Sequence, residues 1–466
     1  MRSRWSENPC AMAIVRLPAA AYREDKINMD REWANMKRIV SAMALAVAMA
    51  AVPMAAGAQN APAPAPAATA PAPTPAPAAA GPRQSSELGA GPWDFTTEKA
   101  NIHVEVLTPG LDHPWSIAFL PDGRMLVTER PGRLRIVAAD GTLDPTPISG
   151  LPQIFAFGIG GLTDVVLHPD FANNRMIYLS YSKARTKDGT APTVQSDSTL
   201  AIARARWDGG HTLSDVEEIY AAEWYGATPL PPRCCGQGPT FGSYGARMVF
   251  GPDGYLYVAS GDRNYGEMAQ NPASDFGKIL RLKDDGSVPT DNPFVGRDGW
   301  RPEIWSLGHR NPTGMTVDPR DGTIWSTEFG PRGGDELNRI ARGANYGWMD
   351  VTQGKHYNGE PAKGVKDVAG MVDPVIAWLP ESGNPGNLDI YDGTQFPGWE
   401  GDFLIAMMNR TLVRAEIDAN GQLVKQEAML GDLGQRLRDV RVAPDGSLLV
   451  LTDETKGAIL RITPKN

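Results

Sequence analysis

Cysteine is scarce in this chain, with three in 466 residues, and that scarcity excludes a disulfide-stapled scaffold. Cys10 falls in a segment that reads as discarded, which leaves Cys234 and Cys235, adjacent and without the spacing or neighbours of a zinc site. They can pair only with each other or across chains, and the sequence leaves a vicinal disulfide and two free thiols both open. Long apolar runs are missing too: the run from Ile39 to Ala51 falls short of the roughly 20 residues a membrane span needs. Positive charge is in deficit, with 45 Lys and Arg against 54 Asp and Glu and a net charge of −9. That balance excludes nucleic acid and anionic membrane as partners.

What is present begins with an address. Met36-Lys37-Arg38 is a basic start, the apolar run follows, and Ala56-Gly57-Ala58 precedes Gln59, so residues 36–58 read as a cleavable secretory signal. Residues 1–35 show no periodic apolar face and read as an over-extended start. From Gln59 to about Pro82 the chain is nearly pure Ala and Pro, which favours extended polyproline II and buries no core. Residues 59–100 are therefore read as a linker and residues 101–466 as the globular part. Residues 1–58 carry eight Lys/Arg and five Asp/Glu, so their loss takes the net charge from −9 to −12. The expected location is periplasmic or extracellular.

Within the globular part a turn-plus-strand unit recurs. Near-copies are Phe119-Leu-Pro-Asp-Gly-Arg-Met-Leu-Val-Thr128, Phe250-Gly-Pro-Asp-Gly-Tyr-Leu-Tyr-Val-Ala259 and Val442-Ala-Pro-Asp-Gly-Ser-Leu-Leu-Val-Leu451. Looser versions start at His168, Val317 and Phe396, which brings the count to six. In each near-copy Pro sets φ, Asp caps the turn, Gly supplies positive φ, and the alternating run that follows pairs as a strand. A lone hairpin cannot bury its faces, so six such units predict an all-β, six-bladed β-propeller. His103 to Leu107 and Ala458 to Thr463 are the candidates for closing the ring in a shared blade.

Chemistry in such a ring belongs in the loops at a channel mouth. Arg310 and Asn311 stand side by side before a Pro, and Arg436 and Arg438 share one face of a strand because the side-chain period is two. Converging guanidinium forks suit a planar ligand with several carboxylates. The stretch from Glu328 to Asn338, followed by Gly343 to Trp348, is rich in hard oxygen donors of the kind calcium takes, or is an ordinary acidic loop. Trp224, Tyr225, Tyr244, Trp378 and Tyr391 could stack on a sugar, although core packing is the default for such residues.

These residues resemble the glucose/sorbosone dehydrogenase family, which includes soluble PQQ-dependent glucose dehydrogenases and aldose sugar dehydrogenases. The resemblance spans His113 to Pro464. It rests on His113-Pro-Trp-Ser, Gly160-Gly-Leu with His168-Pro-Asp-Phe, Leu307-Gly-His-Arg-Asn-Pro312, Gly330-Pro-Arg-Gly-Gly-Asp-Glu336 with Asn345-Tyr-Gly-Trp348, and Arg436-Leu-Arg-Asp-Val. It implies a propeller that binds pyrroloquinoline quinone (PQQ) and calcium, oxidises the C1 hydroxyl of an aldose or a related alcohol, and passes electrons to an external acceptor. Carried over by position, Arg310, Asn311, Arg436 and Arg438 become quinone ligands. The carbonyls of Gly330 and Pro331 become ligands of the cofactor's calcium, and Asp335, Glu336 and Tyr346 mark a second calcium site.

Three positions depart from the family pattern. Ser243 stands where the catalytic His is expected, Ile159 where a Gln is expected, and Met408 where a Lys is expected. A neutral hydroxyl alone does not replace imidazole as a base near pH 7, and neither His211 nor His309 occupies the missing place, so the base is left unassigned. Two readings stay open: a divergent enzyme with a rebuilt pocket, or a non-catalytic propeller that binds carbohydrate or an anion.

Overall fold

Six apolar clusters, one at each junction between neighbouring sheets, organise the molecule. The computed structural model describes residues 87–185, 192, 196–223, 242–357 and 362–465. The secretory signal, the Ala/Pro run, all three cysteines, Trp224 and Tyr225 lie outside the described residues. Among the described residues no helix is long and apolar enough to cross a membrane.

The described strands form six antiparallel sheets in chain order, the blades of a β-propeller. Their first strands, Pro114–Phe119, Leu162–Leu167, Gly245–Phe250, Pro312–Val317, Pro385–Ile390 and Leu437–Val442, form a ring in which each touches the next and the last touches the first. A sheet with one apolar face on each side must be covered twice, and the ring covers every blade with its neighbours. Each of the six recurring sequence units lies between the first and second strands of a blade. The turn chemistry is as the residues require: Asp122, Asp253 and Asp445 accept the N–H two residues on, at 3.1, 3.2 and 2.9 Å, while Gly123, Gly254 and Gly446 hold φ of 86, 77 and 85°.

The ring is closed by its two ends. Asn101–Leu111 pairs antiparallel with Gly457–Pro464, with Val104 opposite Ile462 and Val106 opposite Leu460. The propeller starts earlier than the composition implied, because Trp93–Thr96 adds a further strand outside Asn101–Leu111, and Trp93 and Phe95 pack on the apolar cluster between blades 5 and 6. The linker therefore ends before Trp93, since those alternating aromatics have an apolar surface to cover.

Every inner strand carries a register shift near its start. The residues beside these bulges meet in the channel. Arg247, fully buried, reaches Asp164 at 3.2 Å and Asp439 at 3.4 Å and lies 4.1 Å from the ring centre of Trp115. Ser116 donates to Asp164, and Asn387 donates to Asp439 at 2.7 Å. Arg247 Nε also donates to the Thr313 carbonyl at 3.2 Å, so the channel interior is a polar strut joining all six blades.

Candidate active site

The residues that enter the inner strands share one mouth. They are His113, Ile159 with Gly160, Ser243, Arg310 with Asn311, Asn384 and Arg436. An oxygen from elsewhere in the fold holds the backbone N–H of most of these entry loops. Glu129 accepts from Asp112 at 2.7 Å, Glu328 from Arg310 at 2.7 Å, Asp335 from Asn384 at 2.7 Å, Glu454 from Arg436 at 3.1 Å, and the Asn311 amide oxygen from Gly245 at 3.0 Å. At blade 2 the fixing is steric: a Cβ on Gly161 would sit 1.9 Å from the Arg130 carbonyl, so only glycine fits there.

A cleft of about 390 Å³ opens at this mouth, lined among others by Ile159, Ser243, Asn264, Arg310, Asn311, Phe329, Gly330, Tyr357 and Asn384. Arg310 donates Nη1 to the Phe329 carbonyl at 3.0 Å, while its buried Nε has no partner among the described residues. Asn264, Ser243 and Asn384 have φ of 63, 51 and 52°, which is costly for residues with a side chain and is characteristic of sites where geometry serves function.

Arg436 and Arg438 meet on a single carboxylate. Arg438 Nη2 lies 2.6 Å and Arg436 Nη2 3.6 Å from Asp453, which Arg130 approaches at 3.8 Å and His113 Nδ1 at 3.0 Å. Burial works to raise the Asp453 pKa, but Arg438, His113, Arg130 and Arg436 outweigh it and hold the carboxyl well below the usual range. Three guanidiniums thus converge on this carboxylate, and the buried Arg438 Nε is without a partner among the described residues. Arg310 and Asn311 line the cleft itself, whereas the Arg436/Arg438 pair belongs to the Asp453 cluster of blades 6 and 1.

The two altered positions are also at this mouth. Ile159 lines the cleft and is about half exposed, and the Met408 sulfur accepts from Arg436 Nη2 at 3.2 Å.

The five residues assigned to calcium do not form one site. Gly330 lines the cleft, and its N–H donates to Asp335 at 2.7 Å. Asp335 also accepts from Ser382 and Asn384, so its carboxylate clamps loops together. Glu336, on the other face of the same strand, pairs in register with Glu328, and Asn338 donates to both at 3.0 and 2.8 Å. Burial, and then the Glu328 charge, push the Glu336 carboxyl well above its ordinary value. The Tyr346 hydroxyl donates to the Arg339 carbonyl and its ring stacks on His309 at 4.6 Å. Asp335 and Glu336 thus face opposite ways and the Tyr346 hydroxyl turns to the Arg339 carbonyl, so the three do not converge on one point, and among the described residues no group of three or more His, Cys, Asp or Glu is placed to hold a metal.

Tyr244 and Tyr391 are core residues and Trp378 donates to Gln426, so none of them lines the cleft; the aromatic that does is Tyr357. Sequence reasoning passed over Tyr357, Asp453, Asp262 and Trp348. A signal for the carboxylates was available: Glu129, Asp262, Glu328 and Asp453 follow the turn Asp of their blades by seven to nine residues, at the mouth end of the second strand.

The glucose/sorbosone dehydrogenase family model matches residues 111–461. This chain belongs to that family. A curated relative, the aldose sugar dehydrogenase YliI of Escherichia coli, is 40% identical over 388 residues, covering 82% of this chain and 96% of the relative. Among solved structures, the apo-form of the soluble aldose sugar dehydrogenase from Escherichia coli is 39% identical with a TM-score of 0.69, over 78% of this chain and 100% of that one. The PQQ-bound aldose sugar dehydrogenase from Streptomyces coelicolor is 27% identical with a TM-score of 0.60, over 78% and 99%. The family match, over residues 111–461, thus runs through all six blades.

Proposed function

We propose that this family member is an exported, PQQ-dependent oxidoreductase that oxidises the C1 hydroxyl of an aldose sugar or a related alcohol and passes the electrons to an external acceptor. The observation that carries the reading is the pair of buried guanidinium nitrogens, Arg310 Nε and Arg438 Nε, without partners among the described residues. Buried donors left unsatisfied cost about 1–3 kcal/mol each, and a ligand with three carboxylates would satisfy them. The PQQ-bound Streptomyces relative supports the choice of ligand.

Bound quinone supplies a hydride acceptor. Arg310 and Asn311 would orient it, the Arg436/Arg438 pair would offset its charge, and the Gly330 and Pro331 carbonyls would be hard donors for a calcium. Tyr357, Phe329 and Ile159 give the cleft apolar and aromatic walls that suit the C–H face of a sugar and displace water from it.

The competing reading, a propeller that binds a carbohydrate or an anion without turnover, is favoured by Ser243, because no imidazole lines the cleft. Titrating the purified protein with PQQ and calcium, and then assaying dye reduction with a panel of aldoses, separates the two. Saturable binding with sugar-dependent reduction is expected. Arg310→Gln and Arg438→Gln should each weaken quinone binding about 10- to 150-fold, the equivalent of about 1.5–3 kcal/mol for a charge-assisted bond. Absence of quinone binding would leave the non-redox reading.

A further inference from the structure

The charge on the walls of the cleft has one sign. Arg310 is the charged side chain that lines it, beside amides, a serine, glycines and apolar or aromatic groups. Three acids bond to the backbone of these walls, Asp262 at Asn264, Glu328 at Arg310 and Asp335 at both Gly330 and Asn384. All three are buried behind the walls, and none lines the cleft. A ligand therefore meets a cation there and, among the described residues, no carboxylate.

Two more cations stand at the rim. Phe329 and Gly330 line the cleft from the loop at 329–334, and Tyr357 lines it from a second loop at 351–357. These loops interlock backbone to backbone. The Lys355 N–H donates to the Arg332 carbonyl at 3.1 Å, and a Cβ on Gly334 would meet the Gly354 nitrogen at 2.4 Å. Arg332 and Lys355 are both exposed, and no ion pair holds either among the described residues. The Arg332 guanidinium carbon stands 5.6 Å from the centre of the Tyr357 ring. A cation over a ring is held by the ring's quadrupole and not by its N–H groups, which stay available to an acceptor. Cations gathered at one cleft without a counter-ion favour an anionic ligand.

We propose that Arg332 and Lys355 select the substrate, and that the preferred substrate is an acidic aldose: a uronic acid, whose carboxylate lies at the end of the sugar away from C1. The C–H face of the sugar packs on Tyr357 and the carboxylate is taken by Arg332, whose planar fork matches it, with Lys355 adding a point charge. This rests on the proposed function and deepens it. There Arg310 and Asn311 face the quinone, so Arg332 and Lys355 are the cations of this rim left for the substrate. Both bind and orient; neither moves a proton or a hydride.

The test compares D-glucuronate with D-glucose, which differ only in the group at C6. In the quinone-loaded native protein kcat/KM should favour D-glucuronate, chiefly through KM, and added salt should narrow the preference. Arg332→Gln should lower the glucuronate-to-glucose ratio of kcat/KM about 10-fold, the low end for a charge-assisted bond because the side chain is exposed. Lys355→Gln should lower it less, and Arg332→Lys should restore part of it. Lys456→Gln, exposed beside the closing strand of blade 6, controls for net charge. Calorimetric titration of the quinone-free protein with the same two sugars reads the rim without turnover.

A native ratio at or below one, a ratio unmoved by Arg332→Gln combined with Lys355→Gln, or an equal loss in Lys456→Gln would overturn this selection and leave the dehydrogenase reading intact. A preference for D-glucose 6-phosphate over D-glucuronate would make the anion a phosphate and overturn the carboxylate. Absence of dye reduction with every sugar would instead overturn the proposed function. In that case tighter binding of D-glucuronate than of D-glucose would uphold the rim as an anion site, and equal binding would overturn it as well.

Discussion

At its turn end the inner strand of blade 3 leaves through Gly251-Pro-Asp-Gly254, where Asp253 accepts the Tyr255 N–H and Gly254 holds φ at 77°; at its mouth end the same strand begins behind Ser243, which holds φ at 51° with a side chain attached. Blades 1 and 5 repeat the contrast. Their turn ends use glycine at positive φ, whereas the mouth ends of blades 1, 3 and 5 place His113, Ser243, Arg263, Asn264, Asn384 and Arg410 there; blade 2 is the exception, with Arg175 at 59° in its turn. Such positions cost on the order of 1–3 kcal/mol each. One end of each blade is spent on building the ring, and the other carries the strained backbone and the residues of the cleft.

The largest expected effect lies in the channel between the two ends. Arg247→Met leaves Asp164 buried without its cation and Asp439 with Arg441 alone, and the loss should be about 3–5 kcal/mol in urea denaturation. A variant within about 0.5 kcal/mol of the native protein would mean that the channel network is not a strut and that the contrast between the ends needs no rigid link.

Asp453 sharpens the comparison through pH. Its folded-state pKa is depressed, so the carboxylate contributes stability above its unfolded value of about 3.9, and that contribution is lost as pH falls from there through the lower folded value. Asp453→Asn should therefore be less stable than the native protein at pH 7, with the gap closing in strong acid, as read by denaturation midpoints across pH. A gap that persists unchanged in strong acid would remove the charge cluster as its cause.

Smaller effects of opposite sign are expected at the two ends of one strand. Gly254→Ala places a Cβ in open space, so its cost is the left-handed backbone alone, about 1–2 kcal/mol by thermal denaturation. Ser243→Gly should instead stabilise the fold by about 0.5 kcal/mol, since relief of positive φ exceeds the added chain entropy. Equal signs at both ends would break the contrast.

The ring was legible because its signal repeats. The Pro-Asp-Gly turns locate the first hairpin of each blade, and the closing strands around His103 and Ala458 could be named from alternation alone. The mouth was legible only in part. Arg310 and Asn311 reach the cleft, and Arg436 and Arg438 meet as period two requires, but on Asp453, which no local pattern joins to them. Asp262, Trp348 and Tyr357 come from loops of blades 3 and 4 whose proximity depends on the ring rather than on sequence distance. Asp335 and Glu336 misled as a metal pair for a simple reason: neighbours in a strand face opposite ways, one onto Ser382 and Asn384 and the other toward Glu328.

The pairing of Asn101–Leu111 with Gly457–Pro464 sets an order in time. Blades 1 to 5 are each contiguous in the chain, so a ribosome releases them as finished local units, but blade 6 cannot be completed until the final residues emerge. The early strand must wait through the whole synthesis for its partner, a long loop to close and a slow contact to make. Until then the mouth is an open arc, with Arg130 and His113 of blade 1 apart from Asp453, and that charge cluster forms only as the ring closes.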